Sequence, residues 1–222
     1  MRIPLFLARQ GRCPSGWLGG LVARVMAHET AGENAHVLQL VDIQPGDHVL
    51  ELGFAHGRTL ARAAALAREG FVAGVDPSER MLRLASRRNR QPIAAGRMEL
   101  KSGSSAGLPF PDARFDKAYS VHTIYFWKEP AHDVREIARV LKPGGRLALG
   151  YRSRDDEAAV GRLPPSTHTL YTDAEIGEFL LAGGFEKVQF TKKSFSPTRT
   201  VHFVLARRTL PAPSGGSRWA EL

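Results

Sequence analysis

The stretch Asp47-His-Val-Leu-Glu-Leu-Gly-Phe-Ala-His-Gly57 constrains this chain more than any other. Val49, Leu50 and Leu52 make a short apolar run, long enough for a buried strand. Gly53 ends the run, Gly57 follows, and Arg58 to Arg68 is rich in Ala and Leu and reads as a helix. Strand, glycine turn and helix in succession are how an open α/β sheet aims backbone N–H groups at a ligand. Gly53 and Gly57 let the backbone turn sharply and approach that ligand closely. A tight turn with no ligand is the other reading of a lone glycine pair. A second strand, Phe71 to Val75, runs into Asp76 and Pro77, and a helical run extends from Ser78 to Arg88. An acidic residue about 20 positions after the first glycine, at the carboxyl end of a strand, suits a ribose diol, whose two hydroxyls both donate. Its other reading is a residue that starts the helix.

Four segments in order resemble the class I S-adenosylmethionine-dependent methyltransferases, in the branch similar to the ubiquinone and menaquinone biosynthesis C-methyltransferases. Val49 to Gly57 resembles the first motif of that family and Gly74-Val-Asp-Pro-Ser78 the second. Leu108-Pro-Phe-Pro-Asp-Ala-Arg-Phe-Asp116 and Arg139-Val-Leu-Lys-Pro-Gly-Gly145 resemble two more, and the resemblance covers roughly residues 34 to 206. It implies an α/β fold: an open, doubly wound sheet of seven strands, mostly parallel with an antiparallel last strand, and an N-terminal helical extension. It implies methyl transfer from S-adenosyl-L-methionine as cofactor. The cofactor positions it implies around the first motif are Glu51, Gly53, Ala55, His56 and Gly57. Those around the second are Asp76, Pro77 and Met81. Met26, Asn34, Ser104, Ser105 and Ser120 complete the set. Two positions depart from the family. Ala55 stands where a third glycine is usual. Gly103-Ser104 stands where relatives carry a Gly-Asp pair whose carboxylate accepts from the adenine amino group. A hydroxyl is neutral and shorter, so adenine is expected against Ser104, Ser105 or a backbone carbonyl.

A chain of 222 residues with 43% apolar content is expected to form one cored domain with small additions. Residues 1–40 read as an arm and capping helices, 41–210 as the cofactor-binding domain and 211–222 as a flexible tail. Trp17, Leu18, Leu21, Val22, Val25 and Met26 give an apolar helical face that would pack over the cleft, and Asn34 to Leu40 reads as a second short helix. Cys13 is the only cysteine, which excludes an intrachain disulfide and a cysteine metal cluster and favours a cytoplasmic location. No apolar run approaches the roughly 20 residues of a membrane span. The net charge of +9 permits a nucleic acid or an acidic acceptor without establishing either. Arg80, Arg83, Arg87, Arg88 and Arg90 concentrate that charge, with Arg97 and Lys101 beyond them. No aromatic residues interleave to stack on bases, so a solvated helix face is expected rather than an RNA site.

Met98 to Lys101 and Phe115 to Ser120 read as the third and fourth strands. Directly after the fourth comes Val121-His-Thr-Ile-Tyr-Phe-Trp127, an aromatic cluster at the edge where open sheets bind ligands. Some of these rings should wall a pocket and others should be core. A helix starts at Glu129-Pro130, and Lys142-Pro-Gly-Gly145 is expected to turn into a strand over Arg146 to Tyr151. The consecutive Asp155, Asp156 and Glu157 suit a helix cap better than a metal site, and no metal is expected. Residues 161–172 show no regular pattern. Thr172 and Glu175 form a capping box for a helix to Leu181, followed by strands over Phe185 to Thr191 and Thr200 to Leu205.

A sulfonium methyl is already activated, so the protein must align a nucleophile behind it. His122 is the base candidate by position, with fixing of its loop by hydrogen bonds as the alternative role. His168 and Tyr171 are candidates by loop position alone. His56 is expected at the cofactor rather than the acceptor. The expected acceptor is a small molecule or modified peptide, methylated on oxygen or carboxylate, and an anionic one would suit Arg152, Arg154 and Arg162. An RNA methyltransferase is the alternative that the charge favours, but no Asn-Pro-Pro-aromatic or Asp-Pro-Pro-aromatic tetrad follows the fourth strand. An NAD-dependent dehydrogenase would share the glycine turn and the acidic residue yet leave the two later motifs unexplained. A degenerate methyltransferase serving as a protein partner would account for Ala55 and Ser104. Nothing in the sequence fixes an oligomeric state.

Overall fold

The structure, a computed structural model, describes residues 30–197 and 199–211. The expectations placed on the arm, on the Trp17 to Glu29 helix with Met26, and on the tail beyond Pro211 lie outside the described residues. The helices described are α1 (Ala31–Val41), α2 (Arg58–Leu66), α3 (Glu79–Arg88), α4 (Arg90–Ala94), α5 (Pro130–Val140), α6 (Glu157–Arg162) and α7 (Asp173–Ala182). The strands are β1 (His48–Leu52), β2 (Phe71–Asp76), β3 (Met98–Ser102), β4 (Phe115–Val121), β5 (Leu141–Tyr151), β6 (Phe185–Ser196) and β7 (Arg199–Arg208). They form one sheet in the order β3-β2-β1-β4-β5-β7-β6. The pairs from β3 to β5 are parallel, and β7 runs antiparallel to both β5 and β6, as expected.

Alternation along the strands sends successive side chains to opposite faces. Leu50 and Leu52 join a core with Phe115, Ile137 and Leu180 under α5 and α7. Val49 joins a second core with Val37, Leu60, Met81 and Tyr119 under α1, α2 and α3. The chain walks outward from β1 to β3 and then returns to β4 on the other side of β1. Connections therefore part at the carboxyl ends of β1 and β4, the place where an open sheet leaves a crevice. Among the described residues, no helix is long and apolar enough to cross a membrane.

The long connection from β3 to β4 carries little regular structure, and α5 holds it. Arg139 donates through Nη1 to the Phe110 carbonyl and the Asp112 carboxylate, and through Nη2 to the Leu108 carbonyl. Glu136 accepts the Leu108 N–H at 2.8 Å and pairs with Arg139. Leu108 and Phe110 are thereby pressed into the core.

Three segments differ from the sequence reading. Strand β5 begins at Leu141, so Lys142 to Gly145 lies inside it rather than in a turn before it. The register shifts there between Phe115 and Lys117, and Lys142 Nζ bonds both oxygens of Asp116 across the irregularity at 2.8 and 2.9 Å. The strand continues through a bulge that Gly144, at φ 77°, makes possible. Residues 157–162 form α6, capped as expected within the acidic run, where the Asp156 side chain accepts the Ala158 N–H, but the helix takes in residues 161 and 162, which read as irregular. β6 and β7 extend to a tight hairpin pairing Ser196 with Arg199. Residues 189–194 are exposed, so their side chains carry no apolar alternation for a reader to find.

Candidate active site

The carboxyl ends of β1, β2, β3 and β4 open into a cleft of about 570 Å³. This lies within the range of small-ligand sites. Gly53 and Gly57 both sit at φ 75°. A Cβ on Gly53 would lie 2.4 Å from the Thr123 methyl, and one on Gly57 would lie 2.7 Å from the Ala85 Cβ. Gly53 therefore serves close approach to the loop after β4, whereas Gly57 sits behind the wall and lets α2 and α3 close on each other.

Ala55 adopts φ 47°, the left-handed region that favours glycine, so alanine here holds a shape that glycine would take without strain. That shape costs a non-glycine residue roughly 1–2 kcal/mol. Asp76 holds it: Oδ2 accepts the Ala55 N–H at 2.8 Å and Oδ1 accepts the Ser78 N–H at 2.9 Å. Burial raises the Asp76 carboxyl, and these two N–H groups oppose the rise. An ionised carboxylate offers about four acceptor sites, so each oxygen keeps one for a ligand hydroxyl.

Glu51 is buried beside it, and the Tyr119 hydroxyl donates to it at 3.0 Å. Burial pushes the Glu51 carboxyl up to about 8, with the nearby Asp76 adding to the rise. His56 Nδ1 accepts the Arg58 N–H at 3.3 Å. Its Nε2 is buried without a protein partner. Burial, then the charges of Arg88 and Arg58, lower this imidazole to about 4, so it is neutral with its proton on Nε2. The free acceptor sites of Asp76 for a diol and the lone buried N–H of His56 are an acceptor and donor set that fits S-adenosylmethionine.

Asn34, Glu51, Gly53, Ala55, His56, Asp76, Pro77, Met81, Ser104, Ser105 and His122 all line the cleft. Ser120 does not: it donates to the Leu52 carbonyl at 2.8 Å and meets Thr123 Oγ1, fixing the loop after β4. His168 lies outside the wall, bonded to Thr167 and packed 5.1 Å from the Phe126 ring; burial lowers its pKa. Tyr171 also lies outside, against Phe179 in the α7 core. Of the aromatic run, Phe126 and Trp127 face the cleft and Tyr125 is core. Arg152 pairs with Asp156 and Arg154 with Glu175, and neither they nor Arg162 line the cleft.

His122 sits at φ 61° with its N–H donated to the Gly150 carbonyl. Both ring nitrogens are engaged, Nδ1 with the Tyr125 hydroxyl at 2.9 Å and Nε2 with Glu33 Oε2 at 2.5 Å. The Tyr125 oxygen also accepts the Arg152 N–H. The assignment that leaves no donor idle has Tyr125 donating to Nδ1 and Nε2–H donating to Glu33. Glu33 is fully buried on α1, with Arg199 Nε 2.9 Å from its other oxygen. Burial opposes its charge, but His122, Arg199 and Arg152 outweigh burial and hold the carboxyl below its usual range. Sequence reading missed Glu33, because an acidic residue in a first helical turn has an ordinary local role. It also missed Asp133, buried on α5 at the cleft wall, for the same reason.

The family model described as "Methyltransferase domain" matches residues 50–149, from β1 to β5. The chain is similar to the uncharacterized methyltransferase YdaC of Bacillus subtilis (strain 168), 29% identical over 177 residues, which cover 80% of this chain and 92% of that protein. It is 32% identical over 111 residues to 27-O-demethylrifamycin SV methyltransferase of Amycolatopsis mediterranei (strain S699), half of this chain and 40% of that one. Among solved structures, a SAM-dependent methyltransferase from Aquifex aeolicus aligns with a TM-score of 0.63 at 23% identity, covering 79% of this chain and 89% of that chain.

Proposed function

The chain is a class I S-adenosylmethionine-dependent methyltransferase, and on that premise we propose that it methylates an acidic oxygen of a small organic acceptor. The observation that carries the reading is the state of His122. It opens the aromatic run on the cleft wall, and both of its ring nitrogens are occupied, Nδ1 by the Tyr125 hydroxyl and Nε2 by Glu33. A histidine held this way shapes the loop and does not take a proton directly. The cofactor supplies a methyl on a sulfonium, which needs only an aligned nucleophile. A phenol, an enol or a carboxylic acid brings its own ionisable oxygen, so alignment suffices.

Phe126 and Trp127 support an apolar, ring-bearing acceptor, and a relative acting on a rifamycin supports O-methylation. The occupied guanidiniums of Arg152 and Arg154 speak against recognition of an anion through them. Glu51 and Asp76 hold the cofactor side of the cleft, His56 donates its free N–H there, and the rings keep water from the acceptor side.

Transfer of labelled methyl to a phenol, a carboxylic acid and an aliphatic alcohol, with mass spectrometry of the products, tests the proposal. Phenol or acid should be methylated on oxygen, and the alcohol should not. His122→Ala should lower kcat by less than about 10-fold, with a pH profile that follows the acceptor's own ionisation. A loss of about 10²-fold or more, with one inflection shared by all acceptors, would instead make His122 a general base. Label found only in RNA would defeat a small acceptor altogether.

A further inference from the structure

Asp133 lies in the first turn of α5 and is 2% exposed, yet it stands on the cleft wall. One oxygen, Oδ1, accepts a hydrogen bond from the Ser105 hydroxyl. The other, Oδ2, is buried with no partner in the protein. A buried acceptor left alone is costly, and more so when it carries charge. Burial raises this carboxyl, opposed first by the Ser105 hydroxyl and then by His132 and nearby backbone N–H groups. His132, also on the cleft wall, bonds the Ala106 carbonyl of the Ser105 loop at 3.1 Å rather than Oδ2. This loop leaves β3, the strand beside β2, so Ser104, Ser105 and Asp133 gather at the end of the cleft beyond Asp76.

A ligand with an N–H donor at that end would satisfy Asp133. The ribose hydroxyls have the free sites of Asp76, on the near side. The donor left at the base end of a nucleoside is the exocyclic amino group of adenine. Ser104 offers only a short neutral hydroxyl there, and Ser105 gives its proton to Asp133.

We propose that Asp133 Oδ2 accepts a hydrogen bond from the adenine amino group, so that a carboxylate on α5 selects adenine where the loop after β3 supplies none. Ser105 is the positioning residue that turns this carboxylate toward the cleft. The inference rests on the cofactor assignment and is independent of the acceptor.

Calorimetry on the full chain tests it with two ligands, S-adenosylhomocysteine and S-inosylhomocysteine, whose ring carries an oxo group in place of the amino group. The unaltered protein should prefer the adenosyl ligand by about 10-fold or more. Asp133→Ala should weaken the adenosyl ligand by that factor and leave the inosyl ligand within about threefold, abolishing the preference. Asp133→Asn is near-isosteric and offers an amide N–H to the oxo group, so it should shift the preference toward the inosyl ligand. Equal weakening of both ligands by both variants would mean that Asp133 only supports the loop, and the proposal would fall. Unchanged affinities would also overturn it. If the unaltered protein bound neither ligand, the cofactor assignment itself would be wrong and this inference with it.

Discussion

Glu51 carries the largest consequence of any single ionisable group at the cleft. Its folded-state value of about 8 lies above the ordinary carboxyl value of 4.5. Between those values the folded chain holds a proton that the unfolded chain releases. Stability from this group is therefore complete below about pH 4.5 and is lost as pH rises toward 8, by up to about 1.4 kcal/mol per pH unit. In urea titrations without ligand, the unaltered protein should lose stability over that window relative to Glu51→Gln. Parallel pH curves for the two proteins would rule out a protonated Glu51. That Glu51, Gly53 and Asp76 stand at the cleft was legible in the sequence because the strand, turn and helix that place them are contiguous. Gly57, expected at the cofactor, instead lies behind the wall, between α2 and α3. Ala55 was legible only as a departure; that it keeps a left-handed backbone depends on Asp76, 21 positions on. Glu33 and Asp133 carried no signal at all, since their partners His122 and Ser105 become neighbours only after the sheet has formed.

Among the elements, α5 does more than cover the sheet: through Arg139 it fixes the connection that a reader of the sequence sees only as a proline-rich run. Arg139 spreads its donors over two carbonyls and two carboxylates, which a single ammonium cannot match. Arg139→Lys should cost about 2 kcal/mol in urea unfolding, after discounting the half-screened ion pairs. It should also speed hydrogen exchange at the Leu108 and Phe110 amides. Wild-type exchange in the lysine variant would show that the prolines alone fix the loop. The same scale shows where reading from sequence fails. The capping box at Thr172 and Glu175 is a local device and appears as expected. The start of β5 is set by Asp116 on a neighbouring strand, and no local pattern records it. The length of the hairpin is set by backbone pairing between polar, exposed stretches, where the apolar alternation used to find strands is absent.

For the whole molecule, the surplus of positive charge sits largely away from the cleft. Arg83, Arg87, Arg88 and Arg90 are exposed around α3 and α4, and Arg88 reaches the His56 carbonyl at 3.0 Å. No exposed aromatic ring accompanies them there among the described residues, so affinity for a transfer RNA pool should be weak and fall steeply with added salt. Sub-micromolar, sequence-dependent binding that survives physiological salt would reverse that view. The ion pair between Glu33 and Arg199 ties together the first and the last structured elements of the described chain. During synthesis, the strands and helices up to β5 emerge first and can pack as they appear. Glu33 and His122 are then both present, but Arg199, one of the groups that offset burial of the carboxylate, has still to leave the ribosome. A truncated product lacking β7 would carry the glycine turn and Asp76 beside a Glu33 that has lost one of its cations, and so a less firmly held His122. The setting of His122 on the cleft wall is in this way tied to a residue that the ribosome delivers late.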